Sequence, residues 1–212
     1  MESPSTSSDA NGRPVRGGIL LAGPPAGGKR TVAFSLTTLR RQYAHVPALA
    51  ADPHPSVDAE QVTRTHLDEL HSWAQIFYDV TLDGVLYSYD RERLGRLREQ
   101  GRLPIVCVEN VEALAAFEAE STGWLPVLLW CPRDEAAKRS THGWPVEEPD
   151  RRWSRRWERS TKGLLADPGR FTLTVRSDRL DAVEIARIVH LAAQAGSTNE
   201  HATSTPPAAS HR

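Results

Sequence analysis

The segment Gly18-Ile19-Leu20-Leu21-Ala22-Gly23-Pro24-Pro25-Ala26-Gly27-Gly28-Lys29-Arg30-Thr31 constrains this chain more than any other stretch. An apolar run of strand length enters a Gly-rich turn, and Lys29 opens a stretch with helical periodicity. Gly23, Gly28 and Lys29 satisfy the spacing G-x-x-x-x-G-K of a phosphate-binding loop. The spacing follows from chemistry. The loop must turn backbone N–H groups inward around an anion, glycine permits the dihedrals and the close approach, and the helix start adds its positive dipole end. The residues expected to cradle a nucleotide are therefore Gly23, Pro24, Ala26, Gly27, Gly28, Lys29, Arg30 and Thr31, with Lys29 reaching the β/γ-phosphates as a point charge. Only three lysines stand against 23 arginines in the chain, and one of them falls where this loop demands it. The residue after the lysine, ordinarily Ser or Thr for Mg²⁺, is Arg30; Thr31 follows one place later. The Mg²⁺ that ATP chemistry implies is then held by Thr31, by water, or by a carboxylate elsewhere. The bland alternative is a strand-to-helix turn that binds nothing.

Around this loop, apolar runs near Gly18–Ala22, Leu103–Val108, Leu125–Trp130 and Phe171–Val175 read as strands. Helices are expected near Lys29–Tyr43, Asp90–Gln100, Val111–Glu120, Arg133–Ser140, Arg151–Leu165 and Leu180–Ala195. Unalternating apolar strands between helices predict an α/β class with a parallel sheet covered on both faces. Residues 44–88 break the alternation: a proline-punctuated connection, a helix around Ala59–Trp73 and a Tyr-rich segment from Phe77 to Tyr89 read as an excursion from the sheet. The Ser/Pro-rich stretch 1–14 and residues 196–212 read as disordered tails, leaving one domain over 15–195. A formal net charge of −1 removes any global attraction to nucleic acid or anionic membrane, and no apolar run reaches the roughly 18 residues of a transmembrane helix. Cys107 and Cys131 sit in apolar runs as buried free thiols do. The expectation is a cytoplasmic protein, monomeric or homodimeric.

A second informative region is the loop His142 to Asp150 and the stretch Arg151-Arg152-Trp153-Ser154-Arg155-Arg156-Trp157-Glu158-Arg159. At about 100° per residue the basic residues from Arg151 to Lys162 gather on one face, and Trp153, Trp157 and Leu164 lie opposite. Three readings stay open: a solvated amphipathic helix, a nucleic-acid surface, and a phosphate clamp. The tryptophans face away from the arginines and so stack no bases beside them, which argues against nucleic acid. A phosphate-binding loop needs further cations on the transferring phosphoryl group, and arginines supply them bidentately. On this reading residues 139–162 form a lid.

The order of motifs resembles the guanylate kinase family of P-loop kinases, over roughly Gly17 to Gln194. The quoted features are Gly23-Pro24 opening the loop, Gly84-Val85-Leu86-Tyr87 before a helix, Gly101-Arg102-Leu103-Pro104-Ile105-Val106, Pro132 and the Arg-rich lid. It is also similar to the phosphonate-pathway kinases of ribose 1,5-bisphosphate, in which the residue after the lysine is likewise not Ser or Thr. The resemblance implies a P-loop NTPase fold with an inserted acceptor-binding region over 44–88. It implies ATP and Mg²⁺ as cofactors, and a γ-phosphate passed to a small phosphorylated or anionic acceptor. Arg139 at the lid entrance and Arg155 or Arg156 within it become phosphate ligands; Tyr87 and Glu109 line the acceptor site, Glu109 also as a metal ligand through water. Tyr78 or Asp79 stands where the family reads guanine, and Arg64 and His66 are acceptor-phosphate candidates. Nothing between Tyr43 and Glu60 matches the Thr-Thr-Arg…Arg motif that holds GMP, so typical GMP is not the expected acceptor. A non-catalytic binding module of the same fold and a nucleoside monophosphate kinase proper remain the rival readings.

Overall fold

The computed structural model describes residues 17–52, 59–82, 84–140 and 151–198. Part of the proline-punctuated connection (53–58), the first half of the expected lid (141–150) and the N-terminal stretch 1–14 lie outside the described residues. So does everything beyond 198.

Five strands form one parallel sheet in the order β2-β7-β1-β8-β9, where β1 is Gly18–Ala22, β2 Tyr43–His45, β7 Leu103–Val108, β8 Trp124–Trp130 and β9 Leu173–Arg176. Alternation along central β1 shows why these runs had to be continuously apolar. Ile19 and Leu21 face Val32 and Leu36 of α1 (Lys29–Leu39) and Ile185 and Val189 of α7 (Ala182–Thr198). Leu20 and Ala22 face Leu114 and Phe117 of α4 (Val111–Glu120) on the other side. With both faces covered, no position on the strand is left for a polar residue. α7 runs to Thr198, three residues into the stretch expected to be tail from 196.

The excursion folds as a second sheet. Its order is β4-β3-β6-β5, from β3 (Ala48–Ala50), β4 (Ala59–Gln61), β5 (Ile76–Leu82) and β6 (Val85–Asp90), with α2 (Arg64–Ser72) packed on one face through Leu67 and Leu70. Two expectations are corrected here. Tyr43 belongs to edge strand β2 rather than to the first helix, which stops at Leu39; and the helix expected over 59–73 begins at Arg64, capped by the Thr63 hydroxyl accepting from His66 N–H, while 59–61 pair with β3. β5 and β6 are an antiparallel hairpin. It hands the chain to α3 (Arg91–Glu99), which starts on the Asp90 cap and leads into β7.

Candidate functional site

The loop at the C-terminal end of β1 is shaped by close approach. Gly23 lies against the Leu129 carbonyl, in space a Cβ would occupy, and its N–H donates to Val108 O at 3.2 Å. Gly28 takes φ 89° as the N-cap of α1, a conformation that favours glycine. α1 starts on schedule, with Val32 N–H donating to Gly28 O at 3.0 Å.

Lys29 is buried at the base of the loop. Its Nζ donates to the carbonyls of Gly23 (2.8 Å) and Pro24 (2.9 Å) and reaches Glu109 Oε1 at 3.3 Å. Glu109, in the turn between β7 and the Asn110 cap of α4, offers its other oxygen, Oε2, to Arg156. Nε and Nη2 of Arg156 both lie at 2.7 Å. Burial pushes the Glu109 carboxyl up, but Lys29 and Arg156 together hold it below the usual carboxylate range. Glu109 is thus ionised and clasped between the loop lysine and a lid arginine.

α6 (Arg151–Leu165) brings Arg156 in. Ser160, Thr161 and Leu164 are buried along one stripe of this helix. At helical spacing Arg156 lies about 60° from Trp153 on the flank of that stripe, whereas Arg155 lies about 160° away. Arg155 is exposed accordingly. The expected division into a cationic face and an opposite Trp face therefore fails at one residue: Arg156 and Trp153 line the same cavity. Arg133, at the start of α5 (Arg133–Ser140), ties the helix down by donating to Ser154 Oγ at 3.0 Å. At the end of α5, Arg139 donates to the Ser177 carbonyl (2.6 Å) and hydroxyl (3.3 Å), and its guanidinium lies 3.7 Å from where a Cβ on Gly28 would stand.

These groups enclose a cavity of about 650 Å³, within the range of small-ligand pockets. Arg30 and Thr31 line it from the first turn of α1, and Tyr89 and Cys107 from the sheet ends. The remaining sequence candidates fall elsewhere. Tyr87 is fully buried with Ala48 and Ala50 in the small sheet, so the residue two places on, Tyr89, takes the lining role expected of it. Tyr78 lies beside the site, its hydroxyl donating to Asn110 Oδ1 at 3.3 Å and its ring 6.1 Å from that of Tyr89. Asp79 is turned to the α2 side, accepting from Ser88 Oγ (2.5 Å) and bonded to His71 (2.9 Å). Arg64 is exposed on the first turn of α2, and His66 lines a different cavity of about 560 Å³ behind the small sheet. Sequence reasoning missed Ser177, whose partner is 38 residues away, and Trp153, which the helical angle alone would have placed beside Arg156.

Strand order, loop and converging cations define the fold of a P-loop kinase. Among solved structures the chain is similar to a guanylate kinase from Anaplasma phagocytophilum, at 16% identity and a TM-score of 0.57 over 87% of each chain. It is also similar to a gluconokinase from Sinorhizobium meliloti 1021, at 16% identity and a TM-score of 0.52 over 90% of this chain and 99% of that one. At such identity the likeness is one of fold. No protein-family model and no curated protein matches the sequence. Among the described residues no helix is long and apolar enough to cross a membrane.

Proposed function

We propose that this protein is a phosphotransferase that moves the γ-phosphate of ATP to a hydroxyl of a small acceptor. The observation that carries the reading is the convergence of Lys29, Arg139 and Arg156 on one Gly-rich loop, with Glu109 held between two of them. Phosphoryl transfer asks mainly for positioning and charge neutralisation, and this constellation supplies both. The Gly27 N–H donates to the Pro24 carbonyl at 3.1 Å and closes the loop, leaving the N–H groups of Gly28 and Lys29 to hold the β-phosphate; Lys29 and Arg156 exchange Glu109 for the γ-phosphate oxygens as the nucleotide enters. Arg139, braced on Ser177, stands beside Gly28 at the start of α1. Released from its cations, the Glu109 carboxylate faces the acceptor and accepts a hydrogen bond from its hydroxyl, orienting that oxygen toward the γ-phosphorus.

The residues present fit a nucleotide-borne Mg²⁺. Such an ion would keep several waters and be held mainly by the nucleotide's own phosphates, with Thr31, which lines the cavity, as the residue that would add a protein ligand in place of a carboxylate cage. Among the described residues no group of three acidic, His or Cys side chains forms such a cage. When bound, the ion neutralises charge on the transferring phosphoryl group.

The test is ADP release from Mg-ATP against a panel of small alcohols, sugars and nucleotides, with nucleotide affinity measured alongside. Acceptor-dependent ADP release that disappears in Lys29→Ala supports the reading. ATP binding without turnover by any acceptor favours the non-catalytic module.

A further inference from the structure

The two cations that meet at Glu109 are already engaged. An ammonium has three hydrogens to donate, and Lys29 gives them to the carbonyls of Gly23 (2.8 Å) and Pro24 (2.9 Å) and to Glu109 Oε1 (3.3 Å). The carbonyls are neutral and fixed by the loop. The carboxylate is the one anion of the three, and its contact is the longest. Arg156 turns Nε and Nη2 together onto the other oxygen, Glu109 Oε2, each at 2.7 Å, a charge-assisted pairing of the kind a guanidinium also makes with phosphate. Only 9% of the Lys29 side chain and 14% of those of Glu109 and Arg156 meet solvent, so water and salt screen these contacts far less than those of a surface pair. One carboxylate thus occupies, through its two oxygens, both groups that a transferring phosphoryl group would claim.

Resting on the phosphotransferase reading, we propose that Glu109 is an internal competitor for the γ-phosphate, a latch that a nucleoside triphosphate opens and a diphosphate leaves shut. A β-phosphate on the N–H groups of Gly28 and Lys29 claims the lysine. It has no third phosphoryl group to reach Arg156, which bonds the carboxylate oxygen away from the lysine, so the Arg156–Glu109 pair survives ADP. A γ-phosphate carries more negative charge than one carboxylate and displaces Glu109 from both cations. The displacement is costly, because a buried carboxylate stripped of its partners is uncompensated. An acceptor hydroxyl that donates to Glu109 offsets that cost. The triphosphate therefore enters before the acceptor, and each strengthens the other's binding by the same factor. Once the γ-phosphoryl group has moved to the acceptor, Glu109 retakes Lys29 and Arg156, and ADP is left with the loop alone. A single side chain thereby sets the order of addition and favours release of the spent nucleotide.

The test compares Mg-ADP and Mg-AMP-PNP binding, by calorimetry, in the full chain and in Glu109→Gln, which keeps the shape and an accepting oxygen but removes the charge. A competitor lowers apparent affinity in proportion to the time it occupies the site. Its loss should therefore tighten Mg-AMP-PNP at least about tenfold and Mg-ADP by no more than about threefold. Weaker Mg-AMP-PNP binding in the variant, the sign expected of a carboxylate that holds the nucleotide's metal, overturns the proposal, as do unchanged affinity and equal gains for the two nucleotides. The wild type gives a second readout that needs no change at Glu109. The Arg156 Nε–H resonance, assigned by its loss in Arg156→Lys, should keep its position when Mg-ADP is added and move with Mg-AMP-PNP; a shift of the same size with both overturns the latch. A wild type that binds neither nucleotide removes the phosphotransferase reading as well, whereas nucleotide binding without these differences removes the latch alone.

Discussion

The two sheets of this molecule stand in opposite relation to charge and to chain distance. The large sheet ends in a loop whose contacts are mostly local, Lys29 bonding carbonyls five and six residues back, and it gathers cations. The small sheet, built from 48 to 90, is acidic, and its cavity-facing side is aromatic and aliphatic. A donor half that is specified by a short motif needs little from the rest of the chain. The acceptor half carries no such motif, and its chemistry is written in overall charge and in which tyrosine of a strand reaches the opening.

The sharpest way to break this division is to remove the donor cations. Lys29→Ala should lower turnover by about 10³-fold or more, read as ADP release, while far-UV circular dichroism stays unchanged, because the side chain is held by the loop rather than holding the core. Arg156→Ala should cost about 10²-fold, and Arg155→Ala less than twofold, in the same assay; equal losses at the two positions would show that the lid helix binds through its outer face. Gly23→Ala acts on shape instead of charge. Its Cβ meets the Leu129 carbonyl, so thermal unfolding should reveal a loss of roughly 1–3 kcal/mol together with weakened nucleotide binding.

How much of this was legible in the sequence divides along the same line. β1, β7 and the helices α4, α5 and α6 were readable to within a residue because buried parallel strands are continuous apolar runs and their helices carry caps such as Asn110. The small sheet was not, since its three-residue strands β3 and β4 are too short for any period to register, and Ala59–Gln61 joins smoothly to the helical pattern behind it. One signal was present and unused: Asp83-Gly84 between two β-rich runs is the dipeptide of a two-residue hairpin, and β5 and β6 pair across it from Leu82 to Val85. At the site, Lys29 followed from spacing alone. Glu109 was only one acid among several, and its clasp between Lys29 and Arg156 needs three segments that meet only on folding, 80 and 47 residues apart. Tyr87 and Tyr89 share a face, and which of them reaches the cavity depends on where the small sheet ends.

The smallest expected effect sharpens the comparison most finely, because each half holds one histidine of opposite preference. In the small sheet His71 presents Nδ1 to the Leu67 carbonyl at 2.8 Å and Nε2 to Asp79 at 2.9 Å. Both partners accept, so both ring nitrogens must donate and the imidazolium is favoured; the bond to Asp79, then that to Leu67, raises its pKa. Against the large sheet, buried His190 shares a 2.7 Å hydrogen bond between its Nδ1 and the Tyr43 hydroxyl, and burial, with Arg40 adding to it, lowers its pKa toward the neutral ring. The linkage signs are therefore opposite. The His71 contribution is fully present below the ordinary imidazole pKa of about 6.5 and is lost as pH rises through the raised folded value; that of His190 is present above about 6.5 and is lost as pH falls through the lowered one. Amide hydrogen exchange, corrected for its intrinsic pH dependence, should show α2 and β5 losing protection between pH 6 and about 8.5 while α7 and β2 gain it. His71→Gln should flatten the first trend and His190→Gln the second, each leaving the other half unchanged. Parallel pH trends in both sheets would mean that they open as one unit, and the electrostatic separation between donor and acceptor halves would then have no counterpart in their stability.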